Sequence, residues 1–282
     1  MTPGTLFVVA TPIGNLEDLS PRARKVLSDV DIVAAEDTRH TGRLLAAFGI
    51  KARQTSLHEH NEEEVTEALV REIESGSSVA LVSDAGTPLV SDPGYRLVRA
   101  AHEHGITVSP LPGPCAGIAA LSASGLATDR FCFEGFLSSR AHARRDRLEA
   151  LFREPRTMVF YASVHRVKGA VADMCAAFGE GRRAFVGREL SKLHEQCVAA
   201  TLGELQAMFD ADAIPLKGEF VIAVEGAAGT PVSAAAIDAD RLLSELIPLV
   251  PGKKAVEVTA AVTGENRNAL YRRMLELSKA QD

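Results

Sequence analysis

Residues Val79–Gly94 read VALVSDAGTPLVSDPG, an apolar run followed by a connection carrying two Asp, two Gly and two Pro. The run is short and unbroken, the mark of a strand buried on both faces of a parallel sheet. The connection after it is longer than the roughly two to six residues that most strand-to-helix loops need. Ligands of open α/β sheets bind at the carboxyl ends of the strands, so this loop is the first place to look for a site. Gly86 and Gly94 permit close backbone approach, and Asp84 and Thr87 offer polar anchors.

Working outward, Leu6–Ala10, Ile32–Ala35 and Thr107–Leu111 repeat the same pattern and alternate with amphipathic stretches, as βαβ units do. Ser20 before Pro21 predicts a helix to about Ser28, and Asn61 with Glu64 starts another that Gly76 stops. Pro112, Gly113 and Pro114 break the pattern before a small-residue helix from about Cys115 to Leu126. Beyond them, strands at Thr157–Tyr161, Ala184–Arg188 and Phe220–Val224 alternate with helices at Ala141–Phe152 and Arg166–Phe178. Gly226–Ala236 reads as a linker, and Arg241–Leu249, Lys253–Val262 and Asn266–Leu277 follow as short helices. The expected organisation is an N-terminal α/β domain over 1–112, a C-terminal α/β domain over 113–227, and a helix-turn-helix-like module over 238–282. That module also reads as a plain helical tail.

Composition is that of an ordinary globular chain: 282 residues, 46% hydrophobic and 24% charged, with a formal net charge of −6. The negative balance lends no support to a general nucleic-acid partner, so any such contact must come from local patches. No apolar run reaches the roughly 18 residues of a membrane span, and Leu6–Ala10 is too short for a signal-peptide core, so a cytoplasmic location is expected. The four cysteines are scattered without a CxxC pair and read as buried free thiols rather than zinc ligands.

Two further loops follow strand ends. Thr11–Ser20, TPIGNLEDLS, has Pro12, Gly14 and Asn15 for a tight turn with exposed amides, and also reads as an ordinary connection. Ala35–Gly42, AEDTRHTG, brings Glu36, Asp37, Arg39 and His40 together directly after a strand. Asp37 or Glu36 can orient or deprotonate a hydroxyl and Arg39 can hold a phosphate; a solvated salt-bridge cluster capping the next helix through Thr38 explains the same residues. No GxGxxG follows the first strand, and GxxxxGK[ST] and GxSxG are absent, which excludes the usual dinucleotide, P-loop and hydrolase chemistries. The pairs His58/His60 and His102/His104 lack a third ligand signature and read as solvated helix-end histidines, so no metal is expected. Ser138–Arg156 carries six arginines, among them Arg140, Arg144 and Arg145, against Asp146, Glu149 and Glu154. It is a candidate phosphate-contacting helix or a set of internal ion pairs. Lys253 and Lys254, with Arg267, Arg272 and Arg273, form a second basic patch. With no Trp, three Tyr and eleven Phe, base stacking is not indicated.

The segments VATPIGNLEDLSPRA, AAEDTRHTG, LHEHNE, ALVSDAGTPLVSDPGY, PLPGPCA, DRFCFEGFL and KGEFVIAVEG resemble, in order, those of the ribosomal RNA small subunit methyltransferase I family. The resemblance runs from about Leu6 to Gly226 and continues more weakly into the C-terminal helices. It implies a two-domain tetrapyrrole-methylase-like α/β fold, that of the class III methyltransferases, with S-adenosylmethionine as cofactor. Cofactor contacts carry over to Ala85, Gly86, Thr87 and Val90, then to Cys115 and Ala116, and more loosely to Tyr161 and Ala162; Pro12 and Asp84 join them from the strand-end loops. Gly86, Thr87 and Pro88 stand where the wider superfamily commonly has Gly-Asp-Pro, so a neutral Thr87 takes the place of the acid. The implied substrate is a decoding-region cytidine of 16S RNA within the small ribosomal subunit, methylated on its ribose 2′-oxygen by a homodimer, with neither membrane nor DNA involved. Asp37, Glu36 and Arg39, with Asn15 as an orienting donor, are the catalytic candidates. A tetrapyrrole-type small-molecule methyltransferase is the alternative, disfavoured by the basic helical module. A non-catalytic RNA-binding protein is a third reading, disfavoured by the intact SDAGTP loop.

Overall fold

The computed structural model describes residues 4–227 and 238–279, so most of the Gly226–Ala236 linker lies outside the described residues. Contacts group the chain into two compact units, 1–123 with 187–197, and 124–186 with 198–282.

The first unit contains β1 (Thr5–Val9), α1 (Pro21–Asp29), β2 (Ile32–Ala35), α2 (Thr38–Ala47), β3 (Arg53–Ser56), α3 (Glu62–Glu74), β4 (Val79–Val82), α4 (Tyr95–Glu103), β5 (Thr107–Leu111) and most of α5 (Ala116–Ser124). Its sheet runs β3-β2-β4-β1-β5, with parallel pairings. The links β1 to β2 and β2 to β3 cross the sheet one way, and β3 to β4 and β4 to β5 cross it the other. Right-handed crossovers therefore put the helices of the two sets on opposite faces. Side chains obey this: Ile32, Ala34, Val79 and Leu81 pack with Leu69, Ile73 and Leu97 of α3 and α4. Val33, Ala35, Ala80 and Val82 pack instead with Ala23, Leu27 and Leu45 of α1 and α2. Burial on both faces is why β2 and β4 are apolar without alternation.

The second unit contains β6 (Phe131–Phe136), α6 (Ala141–Ala150), β7 (Thr157–Ser163), α7 (Val167–Phe178), β8 (Arg183–Arg188), β9 (Gln196–Thr201), α8 (Leu202–Asp210), β10 (Glu219–Val224), α9 (Ala239–Leu246), α10 (Gly252–Thr263) and α11 (Arg267–Lys279). Its sheet runs β6-β7-β10-β8-β9 and is mixed: β6 and β7 are parallel, β7 and β10 antiparallel. Phe160, Phe209, Leu148, Met174 and Ile222 centre its core. The segment Gly187–Cys197, which takes in the end of β8, the connection and the start of β9, belongs by its contacts to the first unit. The last three helices share a small core of Leu243, Val256, Leu270 and Met274. They are held to the rest of the unit by Arg272 on Glu149, by Arg153 Nε donating to the Gly264 carbonyl (3.1 Å), and by Asn266 donating to the Ala177 carbonyl (3.2 Å).

Ser20 caps α1 as expected, its hydroxyl accepting from the Ala23 amide. Asn61 precedes α3 but caps nothing; its side chain accepts from the His58 amide and donates to the Ser56 carbonyl, bracing the loop before the helix. The α2 cap is Asp37, one residue before Thr38. Of the cysteines, Cys175 is buried, Cys115 and Cys132 are half-buried and Cys197 is exposed; all are free thiols. Cys197 lies on β9, an edge strand with one solvent face. Among the described residues no helix is long and apolar enough to cross a membrane.

Candidate active site

At the carboxyl end of the first sheet, neighbouring strands send their chains to opposite faces. The loop after β2 leads to α2, whereas the loop after β4 leads to α4, so a crevice opens between them. The matching gap between β4 and β1 is closed by an isolated bridge in which the Thr11 and Gly86 amides each donate to the other's carbonyl, at 2.8 and 3.1 Å.

The β2–β4 crevice is lined by carboxylates. The Asp37 amide donates to Asp84 Oδ1 (3.0 Å), and the Asp84 amide donates to Glu36 Oε2 (3.4 Å), lacing two loops together. Burial, with the charges of Asp84, Glu59 and Asp37 beside it, raises the Glu36 pKa. Asp92 joins them from the far end of the 83–94 loop: burial, with Glu36 and Asp84 nearby, pushes its carboxyl up to about 6, despite a hydrogen bond from Ser83. Asp37 behaves oppositely. Arg39 donates to it three times, from its backbone amide (2.8 Å), Nε (3.1 Å) and Nη2 (2.7 Å), which holds the carboxyl well below the usual carboxylate range. With both oxygens occupied, Asp37 is a poor proton acceptor; its geometry fixes the Arg39 guanidinium, which is otherwise exposed.

The 83–94 loop is held in a strained path. Leu89 and Ser91 both have φ of 71°, in the left-handed region that L residues avoid. Its exit is anchored by Glu62 of α3, whose Oε1 accepts from the Gly94 and Arg96 amides and so caps α4 from outside (3.0 and 2.9 Å). Both glycines that sequence reading assigned to ligand approach have uses within the chain. Gly86 makes the bridge to Thr11, and at Gly94 a Cβ would stand 2.7 Å from Leu81 Cδ2. The Thr87 hydroxyl donates to the Pro114 carbonyl (2.9 Å), joining the β4 loop to the β5 loop that carries Cys115 and Ala116.

Sequence reasoning thus finds Pro12, Asp84, Ala85, Gly86, Thr87, Val90, Cys115 and Ala116 on the strand-end loops of one unit, with Glu36, Asp37 and Arg39 across the crevice and Asn15 turned to cap a 3-10 turn at Leu16–Asp18. Tyr161 and Ala162 lie on β7 of the other unit, Ala162 buried in its core. Two features escaped it. Asp92 is counted among the acids of its loop but given no role of its own. The segment 187–197 carried no motif, yet Ser191 donates to Asp18, and the Lys192 side chain fills the space where Gly14 lacks a Cβ.

The proposed basic patches fare unevenly. Arg144 and Arg145 both bind Asp173 (2.6 and 2.9 Å), and Arg144 is almost buried. Lys254 pairs with Glu257, Arg272 with Glu149 and Asp146, and Arg273 with Glu265 and Asp240. Arg140 and Lys253 are exposed. His58 is half-buried before α3 rather than at a solvated helix end, and His104 meets Glu74 at 2.8 Å. Among the described residues no group of three or more His, Cys, Asp or Glu is arranged to hold a metal.

Residues 5–206 match the family model for Tetrapyrrole (Corrin/Porphyrin) Methylases. A uroporphyrin-III C-methyltransferase from Thermus thermophilus, solved with S-adenyl homocysteine, has the same fold: TM-score 0.54 at 21% identity, over 79% of this chain and 98% of that one. The chain is therefore a class III methyltransferase, and its cofactor is S-adenosylmethionine. The crevice suits a cationic group: burial first, and neighbouring carboxylates second, raise the Glu36 and Asp92 carboxyls, and a sulfonium or ammonium beside them would favour their ionised forms.

Residues 233–278 match a second model, the RsmI C-terminal HTH domain. Proteins called Ribosomal RNA small subunit methyltransferase I are 50% identical in Escherichia coli O157:H7, over 97% of this chain and 95% of theirs, and 51% identical in Xylella fastidiosa Temecula1, over 96% and 98%. The chain belongs to the ribosomal RNA small subunit methyltransferase I family.

Proposed function

We propose that this enzyme methylates the ribose 2′-oxygen of a decoding-centre (P-site) cytidine in 16S RNA of the small ribosomal subunit. The observation that carries the reading is the pairing, on one chain, of the methylase match with the C-terminal helical match, at about 50% identity over nearly the whole length of the named relatives. The specific nucleotide and atom follow from the motif resemblance. The enzyme works as a homodimer in the cytoplasm.

When bound, S-adenosylmethionine supplies an electrophilic methyl group. The chain must bring a hydroxyl into line, keep water out and dispose of a proton. Glu36 and Asp92 are the groups suited to take that proton, because burial leaves their carboxyls more basic than usual. Arg39, fixed by Asp37, offers a rigid cation for a neighbouring phosphate. Pro12, Ala85, Gly86, Thr87, Val90, Cys115 and Ala116 form the cofactor wall, with Asp84 tying it to Glu36. Arg140, Lys253 and Lys254 are RNA contacts on the exposed surface, whereas Arg144 and Arg145 act through the pair with Asp173.

The test is transfer of labelled methyl from S-adenosylmethionine to purified small subunits that lack the modification, followed by nucleoside analysis. A 2′-O-methylcytidine product is expected. Cofactor binding with no transfer to any ribosomal particle would shift the reading to a small-molecule substrate.

A further inference from the structure

Strand β6 is the edge of the second sheet, and its sequence FCFEGF carries three phenylalanines. Phe131 pairs in register with Thr157 and Phe133 with Val159. A regular strand would next turn Phe136 to the opposite side. A bulge between Phe133 and Gly135, with Gly135 at φ 63°, changes the phase, so Phe136 stands opposite Tyr161 on the same face as the other two. The unit's main core lies on the other face, where Met158, Phe160 and Ala162 point, although Thr157 and Val159, opposite Phe131 and Phe133, are buried too. The bulge therefore keeps a large aromatic ring out of the core and on the surface. Phe136 is 57% exposed, Phe131 40% and Phe133 38%. Tyr161 holds Phe133 and Phe136 edge-on, with ring centres at 4.9 and 5.5 Å.

Phe136 and Tyr161 border a small hollow whose other walls include Ser138, Ser163, Arg144 and Arg166. Arg166 is exposed at the start of α7. Arg144 is fixed by Asp173, which it shares with the largely exposed Arg145, so the cluster keeps a positive balance. The nearest acid on β6, Glu134, is taken by Arg147. A surface that offers aromatic faces beside guanidinium groups and hydroxyls matches an unpaired nucleotide, which presents a base to stack and a phosphate to pair.

We propose that the β6 strip is a nucleotide subsite, in which Phe136 and Phe133 stack an unpaired base of the RNA substrate and Arg166 takes an adjoining phosphate. This rests on the RNA-methyltransferase reading and places part of substrate recognition on the second unit. No motif signalled it: counting aromatics gave no reason to expect stacking, and only the bulge gathers them.

The test compares Phe136→Ala, Phe136→Leu, Phe136→Tyr and Arg166→Ala in full-length protein. Calorimetric S-adenosylmethionine affinity, methyl-transfer KM for small subunits, sedimentation, and anisotropy with a fluorescein-labelled single-stranded oligoribonucleotide are the readouts. Phe136→Ala is expected to raise KM and weaken oligonucleotide binding about tenfold with cofactor affinity unchanged. Phe136→Tyr restores both and Phe136→Leu does not, which separates stacking from apolar packing. Arg166→Ala weakens both and flattens their salt dependence. Leu performing as well as Phe, or Ala leaving KM and oligonucleotide binding unchanged, overturns the subsite, as does conversion of a dimer to monomers by Phe136→Ala. A wild-type enzyme inactive on small subunits but binding the oligonucleotide through Phe136 overturns the substrate reading and leaves the subsite standing. Neither activity nor Phe136-dependent binding removes both.

Discussion

Replacing Asp92 with Asn removes an ionisable group from the carboxylate crevice and keeps its shape. In the folded chain the Asp92 carboxyl is pushed from its ordinary 3.8 to about 6. At about 1.4 kcal/mol per pKa unit, the shift corresponds to roughly 3 kcal/mol held against the ionised form. The side chain is only partly buried, and solvent screening reduces the figure to about 1.5 kcal/mol. The sign follows from proton counting. Between pH 3.8 and about 6 the folded state binds more protons than the unfolded state, so stability falls as pH rises through that window and stays lowered above it. Asp92→Asn is therefore expected to stabilise by about 1.5 kcal/mol at pH 8 and by almost nothing at pH 4. Urea unfolding of both proteins at the two pH values measures this through the midpoint at constant slope. An equal gain at both pH values, or a loss at pH 8, would refute the picture of an Asp92 carboxyl raised by its burial beside Glu36 and Asp84. Saturating S-adenosylmethionine should narrow the difference at pH 8, because a bound cation relieves the same repulsion.

Gly94→Ala puts a methyl 2.7 Å from Leu81 Cδ2 at a φ of +118°, and should lower stability by about 2–3 kcal/mol in the same unfolding assay; an unchanged midpoint would mean that the loop gives freely. Asp173→Ala strands Arg144, whose side chain is only 12% exposed, and should cost about 3 kcal/mol, most of it recovered when Arg144→Met is added. Asp37→Asn and Arg39→Ala should each lower methyl-transfer turnover about tenfold, and the double variant should be no slower than the worse single one, since Asp37 acts by holding Arg39. Additive losses would give Asp37 a separate role.

What could be read from the sequence divides along a physical line. Strands β2, β4 and β5 were located closely, and β2 and β4 are central, with apolar residues at every position because helices cover both faces. The strands not foreseen were β3, β6 and β9, all at sheet edges. RQTS and QCVAAT are only half-buried and so carry no apolar run, while the phenylalanines of β6 face solvent. The loops of the site were legible because their density of Asp, Gly and Pro exceeds what a turn needs. Their roles were not, because roles depend on pairing. Asp37 and Asp84 are 47 residues apart and meet only because β4 inserts beside β2. The fixed Arg39, the raised Asp92 carboxyl and the Lys192 side chain over Gly14 all depend on such long-range neighbours.

The same limit applies to charge. Six arginines between Ser138 and Arg156 look in sequence like a phosphate-binding helix. Folding assigns Arg144 and Arg145 to Asp173, Arg147 to Glu134 and Arg156 to Glu154, while Arg153 donates to a carbonyl of the helical module. The C-terminal patch loses Arg272 and Arg273 to acids in the same way. A chain of net charge −6 that spends most of its clustered arginines internally has little general attraction for a polyanion. Its grip on RNA then has to come from a few exposed cations, Arg140, Arg166 and Lys253 among them, and from contacts that do not depend on charge. The exposed rings of β6, as the proposed subsite, would be such contacts, which is why the salt response of Arg166→Ala and the rescue by Phe136→Tyr are informative together. On that proposal the enzyme would discriminate by the shape of an unpaired nucleotide on an assembled particle, and would gain little from the long stretches of duplex that surround it.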